Sequence, residues 1–266
     1  MQRAILSPHL DDAVLSCWHL LEGPDSVTVV NVFTGLPPQG AAVPWWDRLT
    51  GATDVVQRMH DRREEDGRAL KMTGRQATAL DLLDDQYRRS PLPASVVLKR
   101  LEAAVRPGTV VSVPAAIDGH PDHVLVRDAA LALARRGWQV EIYADLPHAI
   151  TRGWPAWVTG EPDDSDTEAK WTRTLVAAGL DVERLVPHVR PLDAATRERK
   201  LRALAEYATQ RPVLDQIAFA PLDDPRALGW ETWWEVPASA LGDGCLQPLG
   251  EPIVAHGSRK SIDDRS

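Results

Sequence analysis

Two short segments of the sequence bring histidine and aspartate side chains together, and both carry residue types that bind metal ions. The first is 7–12 (SPHLDD) and the second, more than a hundred residues later, is 119–123 (GHPDH). Catalytic zinc sites commonly have three protein ligands of the histidine and carboxylate types and leave the remaining coordination to water. His9, Asp12 and His123 supply that set, so the two segments together predict one metal site.

The residues next to these ligands are suited to hydrolysis. Zinc lowers the pKa of its water to about 7 and polarises a carbonyl group, but the attacking water still needs a base. Asp11 lies beside a ligand and should point in another direction, so we expect it to accept that proton. Asp122 is positioned to orient an imidazole, and His120 as an imidazolium would stabilise an oxyanion or protonate a leaving amine. The predicted reaction is metal-assisted amide hydrolysis.

Each segment alone has a plainer interpretation, because an aspartate in such a loop commonly caps the following helix. Their positions favour the metal site. Each segment follows an apolar, strand-like run, 4–6 or 109–113, and each opens a helical pattern. The carboxyl ends of parallel strands meet at one edge of a sheet, where α/β folds bind their ligands.

The rest of the chain predicts the sheet that this convergence requires. Strand-like and helical patterns alternate, which indicates an α/β fold with a Rossmann-like, mostly parallel sheet flanked by helices and irregular C-terminal additions. The predicted strands are 3–6, 26–33, 78–82, 109–113, 139–144, 185–189 and 231–236, and the predicted helices are 13–21, 54–72, 93–105, 124–135 and 194–209. We expect one domain over 1–257 and a flexible tail over 258–266, with an irregular region over 145–192 and a lid or substrate wall over 36–54.

Composition narrows the classes of function. The chain has 266 residues, a formal net charge of -8, 44% hydrophobic and 26% charged residues. This charge argues against nucleic-acid binding, which depends on clustered lysine and arginine, and favours a small neutral or cationic substrate. No apolar run approaches the roughly 18 residues of a membrane span, and no secretory signal precedes the first strand, so we expect a cytoplasmic protein. The two cysteines form no disulfide framework, and the oligomeric state stays open.

The two segments resemble the motifs of the PIG-L/LmbE-like family of zinc-dependent de-N-acetylases, whose pattern is PHPDDE near the amino terminus and HxDH later. Further similarity lies in 62–70, 80–88 and 200–210, so the resemblance covers roughly residues 1–215. Two positions depart from the pattern. Leu10 replaces a proline and leaves the loop less rigid, and Ala13 replaces a glutamate, which puts any role of that glutamate around the metal in doubt.

The resemblance implies the same roles that the residue types predict. His9, Asp12 and His123 correspond to the zinc ligands, Asp11 to the base and His120 to the charge-stabilising partner, with Asp122 as the orienting carboxylate. Members of the family remove an acetyl group from an N-acetylglucosamine unit on a phosphoinositide, a thiol cofactor precursor or an antibiotic. The motif around His9 is similar to the branch that acts on glycosylated natural products.

Seven further residues are candidates for binding the substrate. Sugar hydroxyls need polar partners in a shaped pocket, and tryptophans can stack on a sugar face. The plainer alternatives are a solvated helix face for the charged residues, lid packing for the tryptophans and a structural role for the histidine. The candidates are Arg62, Arg63, Asp84, Arg88, Trp45, Trp46 and His148.

The sequence therefore predicts a zinc-dependent deacetylase that acts on a small-molecule amino sugar of the N-acetylglucosamine type. Two alternatives stay open, an amidase that cleaves a thiol- or peptide-like conjugate and a nucleotide-binding or sensor module without hydrolysis. The first strand-to-helix loop lacks the GxGxxG pattern, which argues against the module. The ligand set also accepts Fe²⁺ or other divalent ions.

Overall fold

A computed structural model of the protein describes residues 1–162 and 166–242. The predicted tail 258–266 and the end of the predicted domain lie outside these residues. None of the helices in the described part of the chain is long and apolar enough to cross a bilayer.

The described residues form a seven-stranded sheet in the order β3-β2-β1-β4-β5-β7-β6. Neighbouring strands from β3 to β5 pair in parallel, and β7 pairs antiparallel to both β5 and β6. The mostly parallel sheet predicted from the sequence is therefore confirmed. The strands are β1 (Gln2–Ser7), β2 (Ser26–Asn31), β3 (Ala77–Ala79), β4 (Val110–Pro114), β5 (Val140–Tyr143), β6 (Val186–Pro191) and β7 (Trp230–Glu235).

Helices connect and flank these strands. Asp54 caps the start of the helix Val55–Lys71, because its side chain accepts hydrogen bonds from the backbone N–H groups of Val56 and Gln57, both at 2.8 Å. The helices are α1 (Asp12–Ser16), α2 (Trp18–Leu21), α3 (Trp45–Leu49), α4 (Val55–Lys71), α5 (Ala94–Ala104), α6 (Pro121–Ala134), α7 (Ala156–Thr159), α8 (Thr167–Ala177), α9 (Ala194–Leu204), α10 (Arg211–Ile217) and α11 (Pro225–Leu228).

The central strands are apolar because both faces of the sheet are covered. Ile5 pairs with Val29 on one side and with Ser112 on the other, and Ile5 and Val29 are both fully buried. Parallel strands that are buried on both faces read as continuous apolar runs rather than alternating ones. The central strands could therefore be predicted from their apolar runs alone.

The order of the strands explains how the two motifs meet. The chain leaves β1 towards β2 and β3 on one side of the sheet, and β4 and β5 lie on the other side of β1. The loops after β1 and β4 therefore face each other where the direction of winding reverses, the position at which such sheets bind ligands. Residues 8–11 and 115–120 occupy these two loops.

Two predicted helices are shorter in the structure. The helix predicted over 13–21 is interrupted at Cys17. Directly after it, the carboxylate of Glu231 accepts hydrogen bonds from the backbone N–H groups of Trp18 and His19, both at 2.8 Å. The helix predicted over 194–209 ends at Leu204.

The region 145–192, predicted as irregular, contains an 11-residue helix, α8. Trp171 and Leu175 on α8 are buried in the main core. The strand predicted at 78–82 is also shorter, spanning only Ala77–Ala79 at the edge of the sheet.

Candidate metal centre and substrate pocket

Three predicted ligand atoms lie close enough to hold one ion. His9 Nδ1 is 3.3 Å from His123 Nε2, and Asp12 Oδ2 is 3.6 Å from the former and 3.4 Å from the latter. Ligands at about 2.0–2.1 Å from a tetrahedral zinc ion lie about 3.3 Å apart. The three atoms therefore form a triangle of the size that a metal ion needs, and the two motifs meet as predicted.

Each imidazole of this triangle also contacts a buried carboxylate through its other ring nitrogen. His9 Nε2 is 3.2 Å from Asp122 Oδ2, and His123 Nδ1 is 3.0 Å from Asp145 Oδ2. Both aspartates are fully buried. Carboxylates in these positions fix the tautomer and orientation of a metal-binding histidine.

Asp145 was missed as a site residue by the sequence analysis. It follows Ala144, just after the end of β5 at Tyr143, so its position at the carboxyl end of a parallel strand is the signal that would have found it. Asp122 was predicted to orient an imidazole, and it contacts His9 across the site. It does not line the pocket, and its position behind His9 fits an orienting carboxylate.

The charges around the imidazoles also fit a divalent ion. Burial alone would lower the pKa of His9, but the hydrogen bond to Asp122 and the charges of Asp84 and Asp12 outweigh it and raise this pKa to about 9. Burial also acts to lower the pKa of His123, but the contacts with Asp12 and Asp145 outweigh burial and raise this pKa. A group of carboxylates thus favours positive charge where the three ligand atoms converge, and the donor set suits a metal ion.

Asp11 lies in the pocket beside the ligands. It directly precedes α1, its side chain makes no capping hydrogen bond, and it is 4% exposed. Burial and the negative charge of Asp12 raise the pKa of Asp11. A carboxylate with a raised pKa binds a proton more readily, as a general base near neutral pH requires.

His120 lines the same pocket as His9 and Asp11. Its Nδ1 accepts the backbone N–H of Asp122 at 3.2 Å, which leaves its proton on Nε2. Burial and the neighbouring His9 and His123 lower the pKa of His120 to about 3. A lowered pKa favours the neutral imidazole, which can act as an N–H donor, over the imidazolium expected from the sequence.

Four of the seven candidate substrate residues line the pocket. Arg62 and Asp84 are both buried there, Trp46 forms part of the wall, and His148 is held by a contact of 2.9 Å between its Nδ1 and Asp118 Oδ2. His148 follows β5 in the sequence, and the structure places it in the pocket wall.

The other three candidates lie outside the pocket lining. Arg63 binds the backbone oxygen of Thr34 and the carboxylate of Asp81. Arg88 is turned towards Asp122, with 2.6 Å between Nη2 and Oδ1, and therefore supports the carboxylate behind His9. Trp45 is 60% exposed at the surface of α3.

Two positions that depart from the family pattern are accommodated in the structure. Leu10 lines the pocket and packs with Met59 and Tyr87 in a small apolar cluster. Ala13 is buried, and its backbone N–H donates to Ser7 Oγ at 3.0 Å. An apolar side chain therefore suits both positions.

Sequence reasoning also missed most of the remaining pocket wall. These residues come from five separated segments and carry no shared motif, so nothing in their spacing marks them. They are Leu15, Phe33, Met59, Gln86, Gln210 and Leu214.

Comparison with known proteins supports the same assignment. A family model described as GlcNAc-PI de-N-acetylase (PIG-L) matches residues 4–134, a range that contains both motifs. The 2'-N-acetylparomamine deacetylase of Streptomyces fradiae is 30% identical over 225 residues, which cover 77% of this chain and 72% of that enzyme.

Solved structures of deacetylases share the fold over most of its length. The A40926 pseudoaglycone deacetylase is 31% identical with a TM-score of 0.67, covering 89% of this chain and 97% of its own. A deacetylase–teicoplanin complex is 26% identical with a TM-score of 0.65, covering 89% and 98%. The zinc-inhibited form of teicoplanin deacetylase is 25% identical with a TM-score of 0.65, covering the same shares. By the identity and coverage of these relatives, and by both motifs, the chain belongs to the PIG-L family of de-N-acetylases.

Proposed function

We propose that this protein is a metal-dependent hydrolase that removes the N-acetyl group from an amino sugar of a natural product. The observation that carries the proposal is the triangle of His9 Nδ1, Asp12 Oδ2 and His123 Nε2, with distances of 3.3 to 3.6 Å. Asp11 and His120 line the pocket over this triangle. A ligand set, a base and a hydrogen-bond donor thus share one site.

A divalent ion bound by the three ligands would lower the pKa of water and polarise the acetyl carbonyl. Asp11 would accept a proton from the attacking water as the new carbon–oxygen bond forms. His120 would donate its Nε2–H to the oxygen that becomes negative in the transition state, a role that a neutral imidazole can fill. Asp11 would then return the proton to the leaving amine as the carbon–nitrogen bond breaks, which yields acetate and a free amino sugar.

The relatives indicate the kind of substrate. One acts on 2'-N-acetylparomamine and another on the A40926 pseudoaglycone, so the acetylated sugar is carried by different scaffolds. Asp84 and Arg62 are buried in the wall of the pocket, and Trp46 offers an aromatic face. These three residues would bind the sugar. Arg63, Arg88 and Trp45 have no such role in our proposal.

Zinc is the metal we propose, because two imidazoles and one carboxylate form a common catalytic zinc set. Fe²⁺ is the alternative that the same ligands accept. A related teicoplanin deacetylase has been solved in a zinc-inhibited form, so the assay should titrate each metal from below one equivalent per chain. The metal that gives the highest turnover at one equivalent identifies the native ion.

The test is release of acetate and of free amine from N-acetylated amino sugars by metal-loaded protein. Paromamine-type and glycopeptide-type substrates are compared with methyl N-acetylglucosaminide. We expect Asp11→Asn to lower kcat by about 10²–10⁴-fold while the bound metal is unchanged. Asp12→Asn should lose the metal as well as the activity.

Three outcomes would overturn the proposal. One is the absence of acetate release from every N-acetylated sugar by the loaded wild-type protein. A second is full activity of the Asp11→Asn variant. The third is release of amine without acetate from other amides, which would make the protein an amidase for thiol- or peptide-like conjugates.

A further inference from the structure

Gln210 is a buried polar residue in the pocket wall that the reaction described above does not use. It lies directly before α10 and is 5% exposed, and it lines the pocket together with His9, Asp11 and Arg62. Within the described part of the chain, its side-chain Nε2 has no hydrogen-bond partner. The amide therefore offers a buried donor to whatever occupies the pocket.

Such a donor is costly in a folded protein. Leaving a buried polar group without a partner costs about 1–3 kcal/mol, and most buried polar groups in native structures are paired. A ligand oxygen in the pocket would supply the missing partner. The cost is then recovered only when the ligand is bound, which makes the residue selective for a ligand with an acceptor at that point.

The backbone around Gln210 is held firmly enough to position the amide. Tyr207 donates its hydroxyl to Asp66 Oδ1 at 2.8 Å, and Thr209 binds Glu65 through its backbone N–H at 3.0 Å and its hydroxyl at 2.6 Å. Both carboxylates belong to α4, the helix that also carries Arg62 into the pocket. Gln210 and Arg62 are therefore fixed to one rigid element.

Two other polar atoms of the pocket wall are, like Gln210 Nε2, buried and unpaired within the described part of the chain. Arg62 Nε and Gln86 Oε1 are buried without a partner among the described residues, although Arg62 Nη2 binds Asp47 and Gln86 Nε2 binds Asp84. Two donors and one acceptor thus remain unpaired around one cavity. A ligand with several hydroxyl groups, each able to donate and to accept, matches such a wall.

We propose that the side-chain amide of Gln210 donates a hydrogen bond to a hydroxyl oxygen of the bound amino sugar and so positions and selects the substrate. The naming of the ligand as an amino sugar rests on the proposed function. The assignment of Gln210 as a ligand-binding residue rests on its burial, its unpaired nitrogen and its place in the wall. It is a positioning residue and takes no part in proton transfer.

The test replaces the amide and keeps the length of the side chain. Gln210→Met is compared with Gln216→Met, a control on the exposed face of α10 whose Nε2 binds the backbone oxygen of Pro212 at 3.0 Å. The probe is methyl N-acetylglucosaminide, titrated into metal-loaded protein, together with its 3-, 4- and 6-deoxy analogues. We expect Gln210→Met to raise Kd about 5- to 10-fold, the effect of one hydrogen bond, and Gln216→Met to leave it unchanged.

The deoxy analogues identify a direct contact. With one of them, the wild-type protein and Gln210→Met should bind equally, because the hydroxyl that receives the bond is missing. The melting temperature of ligand-free Gln210→Met should equal or exceed that of the wild type, because the variant removes an unpaired buried group. A merely structural role would instead lower the melting temperature and weaken all analogues by the same factor, and that result would overturn the proposal.

The experiment also separates this proposal from the proposed function. If the wild type binds the sugar with the predicted dependence on Gln210 but releases no acetate, the deacetylase function fails and the role of Gln210 stands. If acetate is released with equal KM by wild type and Gln210→Met, the function stands and the role of Gln210 is wrong. Absence of any sugar binding by the wild type would overturn the role of Gln210.

Discussion

The Nδ1 atom of His123 lies 3.0 Å from Oδ2 of Asp145, and neither residue is exposed to solvent. Asp145 Oδ1 also accepts the backbone N–H of Ile117 at 3.2 Å. One carboxylate therefore ties the end of β5 to the loop after β4 and holds the imidazole that faces the ligand triangle. The orientation of His123 depends on a residue that neither motif contains.

We predict that Asp145→Asn weakens metal binding about 10- to 100-fold, because the partner of a metal-binding histidine fixes its tautomer and raises its basicity. The dissociation constant for zinc, measured by competition with a chelator, checks this. Asp128→Asn is the control, since Asp128 lies on α6, where its side chain is 39% exposed and pairs with Arg127. Equal zinc affinity in wild type and Asp145→Asn would contradict the prediction.

The three residues of the ligand triangle could be predicted because the segments that contain them follow buried parallel strands. Such strands read as continuous apolar runs, and the polar residues after β1 and β4 therefore marked one edge of the sheet. His9, Asp12 and His123 were located by this reasoning, and the fold class came from the same alternation of strands and helices.

The remaining parts of the site depend on contacts between distant segments. Asp145 stands alone after β5, and Gln210 reaches the pocket because Glu65 and Asp66 hold the residues that precede it. Neither has a neighbour in sequence with related chemistry. Similarly, Arg88 looked like a sugar-binding residue, yet its guanidinium turns to the buried Asp122. Pairings of this kind are decided by tertiary packing, which local spacing does not encode.

The adjacent Trp45 and Trp46 provide a matched pair for testing sugar stacking. Trp46 lines the pocket and packs against the core, whereas Trp45 is 60% exposed. We predict that Trp46→Leu raises Kd for methyl N-acetylglucosaminide about 3- to 10-fold, in the range of an aromatic contact, and that Trp45→Leu has no effect. Titration of both variants checks this. Equal Kd values for Trp46→Leu and wild type would assign Trp46 to lid packing alone.

The fully buried Lys200 and Glu231 should stabilise the fold as a pair. Lys200 Nζ lies 2.6 Å from Glu231 Oε1, and the carboxylate also accepts the backbone N–H groups at the start of α2. Lys200→Met leaves a buried charge without its partner, so we expect it to lower the free energy of unfolding by about 3–5 kcal/mol. Urea denaturation measures this change.

The neighbouring Arg199 is the control for this pair. It binds Glu22 at the surface, and exposed ion pairs contribute about 0–1 kcal/mol, so Arg199→Met should change stability little. The double variant Lys200→Met with Glu231→Gln should recover part of the loss, because it removes the unpaired charge. If Lys200→Met and Arg199→Met lowered the free energy of unfolding equally, the prediction would be wrong, because burial of the ion pair would not determine how much stability its removal costs.

Asp66 should make the stability of the protein depend on pH. Burial raises the pKa of Asp66 to about 7, against the hydrogen bonds from Tyr207 and Asn31, and its unfolded value is 3.8. The folded state therefore favours the protonated carboxyl. Its contribution to stability is fully present below pH 3.8 and is lost as the pH rises through about 7, amounting to at most about 4 kcal/mol.

Asp66→Asn should remove this pH dependence, because an amide remains neutral over the whole range. Its new N–H group can donate to Asn31 Oδ1, a buried atom that lacks a partner among the described residues. Relative to wild type, the variant should gain stability between pH 4 and pH 7.5 in urea denaturation, whereas Glu64→Gln on the exposed face of α4 should follow the wild-type curve. A constant difference between Asp66→Asn and wild type across this range would mean that Asp66 titrates at its unfolded pKa, and that its burial is fully compensated by Tyr207 and Asn31.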